Sequence, residues 1–173
     1  MPENLCADGA LIAVLDTNVA LDIFLFQDAG AKNLAAALRG EKLVALADAA
    51  SLAEWRRVLG YPKLALSSQK AEELLRVYQT VARFVPGEGG GYPLPRCRDA
   101  KDQFLLELAA RGGAAWLVSR DKEVLRLKNP ARGKGAANRP TLPFAILSPD
   151  EAEARLLAPG VGRGAAAELP AAY

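Results

Sequence analysis

The chain has 173 residues, 51% hydrophobic and 24% charged, which suits one domain with a buried core and excludes a disordered polyelectrolyte. Its net charge of +2 is too small to announce a nucleic-acid partner but is compatible with a local basic patch. With no histidine and two cysteines, Cys6 and Cys97, at no metal-ligand spacing, it excludes imidazole catalysis, histidine-ligated metals and a disulfide framework.

Residues 1–10 read as an N-terminal arm without the basic and apolar regions of a secretory signal. The apolar run 11–15 predicts a buried strand that stops at Asp16, Thr17 and Asn18. Helix is expected from Val19 through Phe24 and again over 29–39, ending at Gly40. Residues 43–46 predict a second strand. A helix over 49–59 follows, with Leu52, Trp55, Val58 and Leu59 on one face, and Gly60-Tyr61-Pro62 closes it. Ser67 or Ser68 caps a helix reaching Ala82, with Ala71, Leu74, Leu75, Tyr78 and Val81 on its apolar face.

The glycine- and proline-rich stretch 86–95 predicts a loop. Helix resumes near Asp99 and breaks at Gly112-Gly113. Residues 115–118 predict a third strand and 121–127 a short helix. A long basic loop, 128–143, leads to a last strand at 144–147, and Ser148-Pro149 opens a final helix with proline in its first position. The expected domain is 11–157, with a mobile C-terminal tail at 158–173. No apolar run is long enough for a membrane helix. The overall expectation is a cytoplasmic protein of the α/β class, its parallel sheet covered by helices on both faces.

Acids recur at element ends. Asp16 closes the first strand, Glu54 lies early in the helix after the second, Asp99 and Asp102 open the helix after the loop, and Asp121 follows the third strand. Asp16 and Asp121 are expected at equivalent positions on neighbouring parallel strands. Crowded carboxylates repel and call for a counter-ion, and Mg²⁺ or Mn²⁺ takes oxygen ligands. Such an ion lowers the pKa of bound water and neutralises phosphoryl charge, which suits phosphodiester hydrolysis without histidine. Each acid alone has an ordinary role as helix cap, turn residue or solvated side chain. Their joint occurrence in an α/β order carries the functional reading.

At these residues the sequence resembles the PIN-domain family of metal-dependent nucleases, in particular its toxin–antitoxin (VapC-like) branch. Leu15-Asp16-Thr17-Asn18-Val19 resembles the family's opening motif, Glu54 its second acid, the segment from Asp99 to Ala109 its third acidic stretch, and Val118-Ser119-Arg120-Asp121 its fourth. The resemblance implies a three-layer α/β/α sandwich, a Mg²⁺ or Mn²⁺ cofactor and cleavage of RNA. It makes Asp16, Glu54, Asp102 and Asp121 metal-binding acids, with Asp99 auxiliary and Asn18 and Ser119 as orienting groups. It also implies an antitoxin partner and a homodimer. Arg120 stands where the family usually has glycine, and the loop 128–143 is longer than the usual connection.

A nuclease must hold a polyanion beside its acids. Arg96, Arg98, Lys101, Arg120 and Lys122 are candidates, with Lys128, Arg132, Lys134 and Arg139 on the long loop. Each alone is also a plain solvated charge. Tyr92 is an aromatic candidate for base stacking, whereas Trp55 and Trp116 fall on apolar patterns that predict core. The leading reading is an endoribonuclease. A non-catalytic RNA- or protein-binding module is the alternative. A phosphatase of the haloacid-dehalogenase type is disfavoured, because its second Asp would stand where this chain has Asn18.

Overall fold

A computed structural model describes residues 9–88, 91–128 and 141–158. The N-terminal arm with Cys6, the tail from residue 159, and the part of the basic loop that holds Arg132, Lys134 and Arg139 lie outside the described residues.

Five strands form one parallel sheet in the order β3-β2-β1-β4-β5. They are β1 (Leu11–Leu15), β2 (Leu43–Ala47), β3 (Ala82–Phe84), β4 (Trp116–Val118) and β5 (Ala145–Leu147). The helices are α1 (Thr17–Leu21), α2 (Lys32–Arg39), α3 (Ala49–Leu59), α4 (Ser68–Val81), α5 (Gln103–Arg111), α6 (Lys122–Leu125) and α7 (Pro149–Leu157). A π-helical turn, Asp22–Phe26, continues α1 directly.

The alternation of strand side chains builds both covered faces. Ile12 and Val14 of β1 point into one core with Leu105, Leu106 and Leu108 of α5. Ala13 and Leu15 point into the other, with Val19, Leu34, Leu38 and Ala152 of α1, α2 and α7. Each fully buried leucine here contributes about 1.5–3 kcal/mol relative to exposure. A third cluster seats α3 and α4 around Trp55, which meets Tyr78 at a centroid distance of 5.5 Å and Phe24 at 6.4 Å. Trp55 and Trp116 are both buried, as their patterns predict.

One strand departs from the sequence reading. Residues 82–84 are the edge strand β3, where the sequence reading ends a helix at Ala82 and assigns no element to residues 83 and 84. The apolar face of α4 runs unbroken to Val81, and no glycine or proline separates helix from strand. Three residues at an edge, with Phe84 exposed, show no alternation to read.

The chain winds outward from β1 to β2 and β3, then returns to the other side of β1 for β4 and β5. The winding direction therefore reverses between β1 and β4. In open parallel sheets, the crevice at such a reversal, outside the carboxyl ends of the strands, is where ligands bind.

Candidate active site

At that crevice the register pairs Leu15 with Val118, so the residue across from Asp16 is Ser119. Asp121 lies two residues further on. This corrects the equivalence expected between the two aspartates. Asp16 N–H donates to Val118 O at 2.9 Å and extends the ladder by one bond. Ser119 Oγ donates to Asp16 Oδ2 at 2.6 Å, and the same Oγ accepts from Asp121 N–H at 2.9 Å. One serine, fully buried, thus ties the two acidic strand ends together. Burial raises the Asp16 carboxyl above its usual range. The Ser119 hydroxyl and the backbone N–H groups of Thr17 and Asn18 work against that rise, and the charge of Asp121 adds to it. Asp121 also caps α6, its Oδ1 accepting from Glu123 N–H at 2.6 Å. Asn18 is exposed on α1.

The third acidic segment divides its labour. Asp99 caps a 3-10 turn, Ala100–Asp102, by accepting from Lys101 N–H at 2.9 Å. Asp102 joins that turn to α5 and makes no capping bond of its own. Its carboxyl is pushed up to about 6, chiefly by burial and then by the charges of Asp16, Asp121, Asp99 and Glu54. Asp102 therefore lies within electrostatic reach of every other acid singled out in the sequence.

Glu54 is engaged on its own helix. Its Oε2 accepts from Arg57 Nε at 2.9 Å and its Oε1 from the Arg57 terminal nitrogen at 2.6 Å. Arg57 is held from its other side by the Tyr61 hydroxyl and stacks over that ring at 5.1 Å from the centroid. Among the described residues no three acids gather closely enough to hold a metal ion. The donor chemistry nevertheless suits a hard cation. All donors are carboxylate oxygens, the neighbouring acidic charges add to the raised carboxyls of Asp16 and Asp102, and Mg²⁺ usually takes one or two carboxylates while keeping several waters.

Two further acids escape the sequence reading. Asp48 follows β2 as Asp16 follows β1, but it is structural. It forms a reciprocal capping box with Ser51 and an ion pair with Arg111 at 2.6 Å, both side chains largely buried. This fixes the start of α3 and hence the place of Glu54. Asp22 opens the π-helical turn and accepts from Arg120 Nε at 2.7 Å. The available signal was its place four residues after Asn18, on the same helical face. Arg98, Lys101 and Lys122 are exposed and form no ion pair with another described residue. A cleft of about 460 Å³, lined by none of the acids singled out in the sequence, opens between the start of α3, α5 and the loop after β3. Phe104, Glu107 and Glu88 are among the residues along it.

The family model for the PIN domain matches residues 13–123, more than half of the chain. The chain belongs to the PIN domain family. The match spans the segments of Asp16, Glu54, Asp102 and Asp121, and PIN domains are in general nucleases. No curated protein matches the sequence. Among solved structures, this PIN domain is similar to VapBC2 from Rickettsia felis bound to a DNA fragment from its promoter. That match has a TM-score of 0.51 at 11% identity and covers 80% of this chain and 98% of that one. It is also similar to PAE2754 from Pyrobaculum aerophilum, with a TM-score of 0.53 at 17% identity, covering 90% and 97% of the two chains. At these identities the likeness is one of fold, and it agrees with the three-layer α/β/α arrangement expected from the sequence.

Proposed function

We propose that this PIN domain is a Mg²⁺- or Mn²⁺-dependent endoribonuclease, the toxin of a toxin–antitoxin pair. The observation that carries the reading is the raised carboxyl of Asp102, which feels Asp16, Asp121, Asp99 and Glu54 at once. Acids from four separate segments that feel one another at a ligand crevice are relieved either by a proton or by a counter-ion, and the crevice's place in the fold favours the counter-ion. Asp16, Asp102 and Asp121 would hold the ion, joined by Glu54 once it leaves Arg57, with Asp99 auxiliary. When bound, the cation supplies charge neutralisation at the phosphoryl oxygens and a lowered pKa for water.

The chain's own residues do the rest. Ser119 holds the Asp16 carboxylate in one orientation through its Oγ–H. Asn18, exposed beside Asp16, offers an amide to the substrate. Arg98, Lys101 and Lys122 hold phosphates on either side of the acids, and the loop residues Arg132 and Lys134 are proposed to extend that grip. Without histidine, proton transfer falls to the carboxylates, and Asp102, raised to about 6, is the candidate.

VapBC2 was solved with promoter DNA, and the shared fold supports an antitoxin protein as partner of this chain; a homodimer is proposed on the sequence resemblance to the family. The engagement of Glu54 by Arg57 favours a second reading, a binding module that does not cut. Incubation of the purified protein with a mixed RNA pool, with and without Mn²⁺, separates the two. New RNA ends that require the ion and vanish in Asp16→Asn are expected. Intact RNA, together with a melting temperature that ignores Mg²⁺ and Mn²⁺, would overturn the nuclease and favour the binding module instead.

A further inference from the structure

Arg120 stands between Ser119 and Asp121, the two residues that hold the β4 side of the acidic crevice. Its guanidinium reaches across to Asp22, 98 residues earlier in the chain, through a single bond from Nε at 2.7 Å. A guanidinium carries five N–H donors in a rigid planar fork. Only the Nε donor is used here, and the terminal nitrogens bond to no other described residue. Arg57 is the contrast, since Glu54 takes its Nε and one terminal nitrogen while Tyr61 takes the other. The Arg120 side chain is 44% exposed and Asp22 17%, so the anchor is sheltered and the fork faces solvent. An exposed ion pair adds little stability, about 0–1 kcal/mol, so stability alone does not account for this arrangement. Asp22 also lies one turn beyond Asn18 on the same face of the helical segment. Asn18, Asp22 and Arg120 thus form a rim on the α1 side of the acids.

We propose that Arg120, anchored by Asp22, binds a phosphodiester flanking the one that is cut, and so sets the register of the RNA strand over the acids. The proposal rests on the endoribonuclease reading. The two non-bridging oxygens of a phosphodiester match two parallel N–H donors of the fork. Because the anchor already fixes the side chain, little rotamer freedom remains to be lost on binding, unlike at the unpaired Lys101 and Lys122. Arg120 is a binding residue and Asp22 a positioning residue.

The test uses the full chain and one fluorescent RNA oligomer. Binding is followed by anisotropy in EDTA over a series of KCl concentrations, and cleavage of the same oligomer is followed with Mn²⁺. Arg120→Gln should weaken binding about tenfold, as loss of a charge-assisted hydrogen bond does. It should also make the log–log salt slope shallower by about 0.7, the value of one single-strand phosphate contact. Arg120→Lys should restore the slope but only part of the affinity. Asp22→Ala should weaken binding by only about two- to threefold, the scale of ordering one side chain, yet lower kcat several-fold, because the charge stays while the register is lost. Wild-type affinity and slope in Arg120→Gln would overturn the phosphate contact, and an unchanged kcat in Asp22→Ala would overturn the positioning role. If the wild type binds RNA but never cuts it, the nuclease reading fails while the binding arm still judges Arg120. If it does not bind RNA, both fail.

Discussion

Ser119 Oγ donates to Asp16 Oδ2 at 2.6 Å while both side chains are buried at the meeting of β1 and β4. Ser119→Ala removes that donor and leaves the Asp16 carboxylate with the backbone N–H groups of Thr17 and Asn18. The amide of Asp121 loses its acceptor as well. Urea unfolding at pH 7.5 should show a loss of about 1–3 kcal/mol, the usual penalty for leaving a buried polar group unsatisfied. The Asp16 carboxyl should also rise further, so the acid limb of the cleavage pH profile should move to higher pH. An unshifted limb would show that the serine does not tune this acid.

The Glu54–Arg57 pair competes with any cation for the Glu54 oxygens. Arg57→Ala should free Glu54, and half-saturation in a Mn²⁺ thermal titration should fall by a few-fold, the scale of an exposed ion pair worth about 0–1 kcal/mol. Arg57 is largely exposed, so the variant's own stability should change little. A higher Mn²⁺ requirement in Arg57→Ala would show that Arg57 supports the site rather than occupying it.

Asp102 predicts a pH dependence. Its folded-state pKa, about 6, is above the unfolded value, about 3.9. The native state therefore binds more protons than the unfolded chain between these values, and this contribution to stability falls as pH rises through that window. In EDTA, the difference in melting temperature between wild type and Asp102→Asn should widen as pH rises from 4 to 7, with Asn the more stable at neutral pH. Mn²⁺ competes with the same proton, so its apparent affinity should drop below about pH 6. A pH-independent difference between the two proteins would place Asp102 outside the acidic cluster.

Gly112 ends α5 where the helix approaches β2. A Cβ there would collide with Leu46 Cδ1 and come within 3.2 Å of Val85 Cγ2. Gly112→Ala should cost about 1–3 kcal/mol by overpacking, read as a lower denaturant midpoint at unchanged m-value. An equally stable variant would mean that Leu46 can yield.

Much of this was legible in the sequence because two periodicities and a few end signals are local. The apolar run of β1, the one-sided apolar face of α3, Ser67 before α4 and Pro149 in α7 each follow from a few neighbouring residues. Asp16, Asp99, Asp102 and Asp121 could be singled out because each closes or opens an element, whereas Glu54 lies inside α3. What could not be read is set by pairing between distant segments. The register of β4 on β1 decides that Ser119, not Asp121, faces Asp16. The ion pairs of Arg120 with Asp22 and of Asp48 with Arg111 join elements far apart in the chain, so no local pattern announces them. Edge strand β3 is too short to carry a period. The engagement of Glu54 depends on Arg57 adopting one rotamer among many, which three-residue spacing permits but does not dictate.

The hydrogen bond from Ser119 to Asp16 spans 103 positions, and β4 can join the sheet only beside a finished β1. A growing polypeptide on the ribosome therefore carries Asp16 and Glu54 for most of its synthesis with nothing to gather them. Only when β4 and the residues after it have emerged can Ser119 tie Asp16 to the Asp121 backbone, so the acidic mouth is the last part of the crevice to close during synthesis.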